Sequence, residues 1–236
     1  MIRAIVVDDE LHAREELNAL LTQTHAFEVV GMCAHAVEAL QAIKRDRPDV
    51  MFLDIRMPGL SGFEMLSMID EEIMPIVVFV TAYDEYALKA FDENAVDYLL
   101  KPVEAERLQK TVQKLRKMVR EPARPPYPVV PITRIPCVLS QRIKLIALQD
   151  VECIRSDIAG VYVITGAGEF FTELTLKILE ERTGMIRCHK QFLVNMDRAD
   201  EILLQENQSA QIRMQSGRMV PVSRRFFKKL KDTFGF

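Results

Sequence analysis

The stretch "IVVDDE", residues 5–10, places two adjacent carboxylates directly after an apolar run that is typical of a buried strand. Like charges at the edge of a low-dielectric core repel each other and resist desolvation. The charge of Asp8 and Asp9 must therefore be compensated by groups that other parts of the chain supply.

Short, nearly continuous apolar runs recur through the first half of the chain, as expected for strands that are covered on both faces. They lie at Ile2–Val7, Val29–Cys33, Val50–Leu53, Ile76–Val80 and Tyr98–Leu100. Helical patterns separate them, such as the stripe of Leu108, Val112 and Leu115. This alternation predicts a five-stranded, parallel, doubly wound α/β sheet of the flavodoxin-like type, with five helices.

A change of composition marks the boundary between two domains. The segment "EPARPPYPVVPITRIP", residues 121–136, is too rich in proline to continue a helix or to enter a central strand. We expect a first domain at 1–120, an extended linker at 121–136 and a second domain at 137–236.

The second half is predicted to be mainly β with short helices. Its strand-like segments are "IKLIAL", "VECIRS", "GVYVIT", "EFFTEL", "AQIRMQ" and "MVPV". Two helices are expected, at 175–182 and at 223–234.

The composition, 49% apolar and 28% charged over 236 residues, is typical of a soluble globular protein. Residues 1–120 carry 14 Lys and Arg against 21 Asp and Glu, so the second half is mildly basic and could bind a polyanion. The four cysteines have no C-x-x-C spacing and are expected to be reduced. We find no signal peptide and no apolar stretch long enough to span a bilayer, which predicts a cytoplasmic protein without membrane insertion.

Polar side chains end four of the predicted strands. Asp8 and Asp9 follow the first, Asp54 the third, Thr81 ends the fourth, and Lys101 follows the fifth. The carboxyl ends of parallel strands meet at one edge of a sheet, where ligands bind. Three carboxylates there favour a hard divalent cation such as Mg²⁺, and an Asp can itself become the nucleophile that forms an acyl phosphate. Taken singly, each of these residues could instead be a helix N-cap or a turn former.

The motifs "VVDDE", "FLDIRMPGLSG", "VTAYD" and "DYLLKP" resemble, in order, the signatures of response-regulator receiver domains. The resemblance implies that Asp54 is the phosphoacceptor. It also implies that Asp8, Asp9 and Asp54 hold Mg²⁺ together with the backbone carbonyl of Arg56.

The same resemblance assigns a phosphate-sensing switch to four further residues. These are Thr81 and Lys101, which would contact the phosphoryl group, Tyr98, whose rotamer would couple to Thr81, and Pro102, which a cis peptide bond would precede. The implied partner is a sensor histidine kinase of the LytS type. Phosphorylation would shift a two-state receiver towards its active form and promote a dimer through the fourth and fifth predicted helices.

Two segments of the second half carry clustered cations and polar groups: "MIRCHKQFLVN", residues 185–195, and "VPVSRRFFKKLK", residues 220–231. Arg224 and Arg225 would lie in a first helical turn, where cations oppose the helix dipole, and a phosphate backbone across that turn would reverse the penalty. The alternative is a solvated charged face with no ligand.

These two segments, downstream of "GVYVIT", resemble the LytTR DNA-binding domain, and the whole chain resembles regulators of the BtsR type. The resemblance implies that loops, rather than a recognition helix, enter the major groove of double-stranded promoter DNA. The implied base contacts are Lys190 and Arg225 with His189 and Arg224 beside them, and the implied phosphate contacts are Arg187 and Lys228. Many relatives carry Arg where Lys190 stands, and a lysine lacks the bidentate fork that reads guanine.

The predicted function is that of a phosphorylation-activated response regulator of a two-component system, which binds promoter DNA and controls transcription without being an enzyme. One alternative keeps the receiver but gives it a protein- or RNA-binding output. An enzyme is a second alternative, either a phosphatase that uses Asp54 as a transient nucleophile or a receiver-gated catalyst. A phosphatase would need an acid or base near Asp54.

Overall fold

Two units make up the chain, residues 1–130 and 131–236. The computed structural model describes residues 1–83, 95–119, 127, 130–140, 142–205 and 209–234. Each unit is described by itself below.

A single parallel sheet organises the first unit. Its strands are β1 (Ile2–Val7), β2 (Phe27–Cys33), β3 (Val50–Leu53), β4 (Ile76–Thr81) and β5 (Asp97–Leu100). They pair in the order β2-β1-β3-β4-β5, and every pair is parallel. The predicted doubly wound sheet is confirmed, and the strand order reverses next to β1, where open α/β sheets place their ligand sites.

The helices of the first unit follow its strands. They are α1 (Leu11–Gln23), α2 (Ala36–Asp46), α3 (Gly62–Leu66) and α4 (Ala105–Met118). Apolar side chains of α1 and α4 pack with one face of β1, β3 and β4 in a common core, and Leu21 and Leu115 are fully buried there. The helix predicted between β4 and β5 falls largely on 84–94, outside the described residues.

The backbone after β3 is held tightly at the start of α3. Ser61 caps this helix, since its hydroxyl accepts from the Glu64 N–H while the Glu64 carboxylate accepts from the Ser61 N–H. A Cβ added to Gly62 would lie 2.5 Å from the carbonyl oxygen of Asp54. Only glycine fits at this position without displacing the backbone of Asp54.

The described part of the second unit forms three antiparallel sheets. Its strands are β6 (Arg134–Leu139), β7 (Arg142–Ala147), β8 (Val151–Asp157), β9 (Gly160–Thr165), β10 (Gly168–Thr172), β11 (Ile186–His189), β12 (Phe192–Val194), β13 (Ala199–Gln205), β14 (Ser209–Met214) and β15 (Met219–Val222). They form sheets of order β10-β9-β8-β12-β11, β13-β14-β15 and β6-β7. The mainly β architecture is confirmed.

Two α-helices complete the second unit as described, α5 (Leu176–Thr183) and α6 (Arg224–Phe234). Both were predicted within a residue or two. The Leu230 side chain of α6 is buried in a core that β8, β9, β11, β12, β14 and β15 share. This packing anchors α6 on the core of the unit.

Two described residues of the proline-rich segment, Tyr127 and Val130, are hydrogen-bonded to the first unit. The Tyr127 hydroxyl accepts from the N–H of Val77, and the N–H of Val130 donates to the hydroxyl of Ser67, both within the first unit. Strand β6 begins at Arg134, inside the predicted linker. Among the described residues it pairs with β7 alone, and such an edge position can accommodate Pro136, which has no amide hydrogen. The predicted domain boundaries, 1–120, 121–136 and 137–236, stay a prediction.

We expect Gly62→Ala to lower the free energy of unfolding of the first unit by about 1–3 kcal/mol, because the new methyl group overpacks against the Asp54 carbonyl. Urea unfolding of the full chain measures the change. Gly166→Ala is the control, since a Cβ there meets no atom within 4 Å. Equal stability of the two variants would contradict the close contact between residue 62 and the Asp54 carbonyl.

Candidate functional site

Three carboxylates meet at the carboxyl edge of the parallel sheet. Oxygen atoms of Asp8, Asp9 and Asp54 all lie within 4.8 Å of one another, with Asp8 and Asp54 buried and Asp9 exposed. The sequence predicted this cluster, and the structure brings its members together. Oxygen ligands that converge in this way, one of them open to solvent, suit a hard divalent cation.

The ammonium group of Lys101 compensates part of this charge. Its Nζ lies 2.6 Å from Asp8 Oδ2 and 2.8 Å from Asp54 Oδ2. The N–H of Lys101 donates to the carbonyl of Thr81, which holds the start of the segment after β5 against the end of β4. One cation thus bridges two of the three carboxylates.

Burial and pairing act in opposite directions on this group of charges. Burial raises the pKa of Asp8, and it outweighs the hydrogen bonds from Lys101 and from the N–H of Glu10, which lower that pKa. Burial alone would lower the pKa of Lys101, but the hydrogen bonds to Asp54 and Asp8 raise it. Lys101 is therefore positively charged at neutral pH. It lies next to Asp8, whose charged form is destabilised by burial.

Thr81 ends β4 beside this group. Its side chain is fully buried, and its Oγ1 has no hydrogen-bond partner among the described residues. An unpaired buried hydroxyl is costly, so this donor is available to a ligand that enters the site.

The remaining predicted residues of the first unit lie around the same edge. Tyr98 is buried and its hydroxyl donates to the carbonyl of Tyr83. The Lys101–Pro102 peptide bond is cis, as the resemblance implied. The N–H of Arg56 donates to Asp54 Oδ1 at 3.2 Å, and its guanidinium carbon lies 3.9 Å from the centre of the Tyr83 ring.

A second ion cluster near Tyr98 was not predicted. Asp97 is only 1% exposed, and its carboxylate accepts from the side chains of Arg107, Thr111 and Lys114 of α4. Burial raises the pKa of Asp97, but these three donors lower it further than burial raises it, well below the usual range. The signal was present in the sequence, because residues 107, 111 and 114 fall on one face of a helix.

In the second unit, the two predicted DNA-contacting segments lie side by side. The N–H of Ser223 donates to the carbonyl of Cys188 at 3.0 Å, which sets the amino end of α6 against β11. Lys190, Arg224, Arg225 and Lys228 are exposed, and His189 is half-buried. The pKa of His189 is lowered by burial, and by Lys190 and Arg187, which disfavours its charged form.

Arg187 differs from the other predicted contacts, because its side chain is engaged within the unit. It donates to the Glu180 carboxylate at 3.2 Å and to the carbonyl of Lys190 at 2.9 Å. The second of these bonds holds the turn between β11 and β12. The structure thus gives Arg187 a turn-forming role that the sequence pattern did not indicate.

Comparison with known proteins assigns a family to both units. The response regulator receiver domain matches residues 4–113, and the LytTr DNA-binding domain matches residues 141–235. An uncharacterized response regulatory protein of Vibrio cholerae is 50% identical over the full length of both chains. The transcriptional regulatory protein BtsR of Salmonella typhimurium is 49% identical, again over the full length of both.

This chain is a response regulator. It has a receiver domain and a LytTR DNA-binding domain, and its predicted resemblance to the BtsR type is confirmed. Among solved structures, the response regulatory domain of MrkE from Klebsiella pneumoniae is similar to the receiver, with 33% sequence identity and a TM-score of 0.45. The match covers 50% of this chain and 98% of that chain. A receiver implies a kinase that donates the phosphoryl group, and a LytTR domain implies binding to DNA.

No helix in the described ranges is long and apolar enough to cross a membrane. All four cysteines are free and buried, and burial raises the pKa of their thiols to about 11 for Cys33 and about 12 for the other three. They pack as small apolar side chains, as predicted.

We expect Asp97→Asn to lower the free energy of unfolding of the receiver by about 2–3 kcal/mol at pH 7, because it leaves Arg107 and Lys114 without their buried counter-charge. The pKa of Asp97 is lower in the folded chain than in the unfolded chain. Asp97 therefore contributes fully to the free energy of unfolding above its unfolded pKa of about 3.9, and this contribution is lost as the pH falls towards the folded pKa.

Urea unfolding at pH 7 and at pH 3 measures this difference. The gap between wild type and Asp97→Asn should be large at pH 7 and smaller at pH 3. Asp46→Asn, which breaks a solvent-exposed pair with Arg45, is the control and should have a much smaller effect. If the free energies of unfolding of wild type and Asp97→Asn differed equally at pH 7 and at pH 3, the role of Asp97 as a charged partner of Arg107 and Lys114 would be contradicted.

Proposed function

We propose that this response regulator is activated by a phosphoryl group on Asp54 and then binds promoter DNA to control transcription. A sensor histidine kinase of the LytS type is the proposed donor. The observation that carries the proposal is the Lys101 ammonium, 2.8 Å from Asp54 Oδ2 within a cluster of three carboxylates.

The donor set supports Mg²⁺ as the cofactor. Asp8, Asp9, Asp54 and the backbone carbonyl of Arg56 are the proposed ligands, all of them oxygen donors. When bound, the ion would neutralise negative charge on the carboxylates and on the incoming phosphoryl group.

Asp54 is the proposed nucleophile. One of its carboxylate oxygens forms a bond to phosphorus while the bond between phosphorus and the donor breaks, and the leaving group departs with that electron pair. Lys101 is already within hydrogen-bond distance of Asp54, so it can neutralise charge on the phosphoryl oxygens with little movement. The Thr81 hydroxyl, which is unpaired among the described residues, supplies a further donor.

The new contacts of Thr81 and Lys101 exist only when Asp54 is phosphorylated, so they favour the receiver conformation that can form them. Tyr98 lies opposite Phe79 on the adjacent strand, two positions before Thr81 along β4. It is the proposed third member of this switch, with Pro102 shaping the segment that follows Lys101. We propose that the active receiver forms a dimer, which would bring two LytTR domains onto adjacent half-sites and increase their effective concentration on DNA.

The proposed DNA interface lies where β11, the turn before β12 and the amino end of α6 meet. Lys190 and Arg225 are the proposed base contacts, with His189 and Arg224 beside them and Lys228 on a phosphate. The hydrogen bond from Ser223 to Cys188 supports this grouping, because it fixes the two arginines next to the turn. The phosphate contact of Arg187 stays a prediction, since its internal bonds compete with it.

The relative from Salmonella typhimurium is named a transcriptional regulator, which supports a transcriptional role for this chain. Promoter DNA lies in the cytoplasm of a bacterium, so we propose that the protein acts there. A receiver joined to a LytTR domain is typical of regulators that are not enzymes.

Asp54→Asn should abolish labelling of the chain by a small acyl-phosphate donor in the presence of Mg²⁺, because an amide cannot form the acyl phosphate. Intact-protein mass spectrometry counts the phosphoryl groups. Asp70→Asn, an isosteric change at a helix cap of the same domain, should label as wild type does. Uptake of one phosphoryl group by Asp54→Asn at the wild-type rate would overturn the assignment of the nucleophile.

Arg225→Ala should weaken binding to a duplex that the wild-type chain selects from a random pool by about tenfold or more, since each good base contact contributes about 1–3 kcal/mol. Labelling of Asp54 should not change. Arg213→Ala is the matched control, because Arg213 lies outside the two predicted DNA-contacting segments and pairs with Asp200 and Glu201. If Arg225→Ala bound the duplex with wild-type affinity, that base contact would be excluded. If wild-type binding depended only weakly on salt and showed no sequence preference, a protein-binding output would be favoured instead.

A further inference from the structure

The hairpin between β8 and β9 ends in a rigid two-residue turn, Ile158 and Ala159. The Asp157 carboxylate accepts from the N–H of Ala159 at 2.8 Å, which closes the turn. Gly160 follows with φ at +136°, and a Cβ there would lie 2.5 Å from the Phe171 ring. The turn is therefore held in one conformation, which fixes the direction of its side chains.

Ile158 is fully exposed at the tip of this hairpin. Residues favoured in such turns are Gly, Asn, Asp and Ser, each for its backbone angles or its local hydrogen bonds. An isoleucine provides neither, and here it gains nothing from burial in the free protein.

The tip lies at the same end of the sheet as the turn between β11 and β12. Strand β8 pairs with β12, with Arg155 opposite Phe192, and the N–H of Ser156 donates to the carbonyl of Gln191 at 2.8 Å. Lys190 is the residue before Gln191, and Ile158 stands two residues, about 7 Å, beyond Ser156 along the strand. Ile158 therefore projects next to Lys190 and slightly farther out from the sheet.

The charges near the tip balance one another. Arg155 lies 3.5 Å from the Asp157 carboxylate and 3.0 Å from the Glu169 carboxylate, and Arg218 lies 3.1 Å from Glu169. Two cations and two anions form this chain of ion pairs. Asp157 is thus neutralised, and the tip can approach a polyanion without a net negative charge of its own.

We propose that Ile158 packs against the 5-methyl group of a thymine in the major groove, beside the base that Lys190 contacts. In B-DNA that methyl group is exposed only in the major groove, and apolar side chains are its usual partners. An aliphatic contact next to a lysine would add the sequence discrimination that a point charge lacks. This inference rests on the proposed DNA-binding function.

The test uses the full-length chain and the duplex that wild type selects from a random pool. Each thymine of that site is replaced singly by deoxyuridine, which removes only the methyl group. One replacement should weaken wild-type binding about fourfold, the effect of removing one buried methyl group. Ile158→Ala should bind the thymine duplex more weakly than wild type does and should be insensitive to that replacement.

Two controls accompany the test. Ile158→Val, which keeps a branched aliphatic side chain, should retain sensitivity to the methyl group. Leu204→Ala, a truncation of another exposed aliphatic residue in the same domain, should show the wild-type profile. Because Ile158 is fully exposed, thermal unfolding of Ile158→Ala should match that of wild type.

The outcomes separate this inference from the proposed function. If wild type selects a site and Ile158→Ala keeps the wild-type deoxyuridine profile, the contact with thymine is overturned and DNA binding stands. If no deoxyuridine replacement affects wild type, the contact is overturned in the same way. If wild type selects no sequence at all, the proposed function fails and this inference fails with it.

Discussion

Charge compensation at the carboxyl edge of the parallel sheet is the constraint on which the receiver depends. Two of the three carboxylates are buried, and a buried carboxylate needs a compensating charge nearby. Lys101 reaches Asp8 and Asp54 from the segment after β5, so one cation ties the first, third and fifth strands together. One positive charge against three negative charges leaves an excess, which a divalent cation of matching charge can neutralise. The chemistry proposed for Asp54 follows from this imbalance.

Much of the receiver could be predicted because its signals are local and repeated. Each buried parallel strand is a short apolar run, and Asp8, Asp54 and Lys101 come directly after such runs. Asp97 was harder to interpret for two reasons. Its partners lie on a helix that follows in sequence, and Asp97 begins a strand, whereas Asp8 and Asp54 follow one. A buried charge is tolerated there only because three donors of α4 converge on it.

The LytTR domain was less predictable at the level of single strands. Strands β11 and β12 are short and carry polar residues that face solvent at the turn between them, so their period-2 pattern is weak. Strand β6 was not predicted because it contains Pro136. A proline is compatible with an edge strand but not with a central one. The neighbours of the turn at Lys190, α6 on one side and the β8–β9 hairpin on the other, depend on long-range pairing that no local pattern encodes.

Calorimetric titration of the full-length chain with Mg²⁺ tests the central claim most directly, because it asks whether the excess negative charge at Asp8, Asp9 and Asp54 is a cation site. The account predicts saturable binding of one ion per chain, lost in Asp9→Asn, whose exposed side chain can be changed without disturbing the core, and retained in Asp70→Asn. Absence of binding to the folded wild-type chain, or unchanged binding by Asp9→Asn, would contradict it.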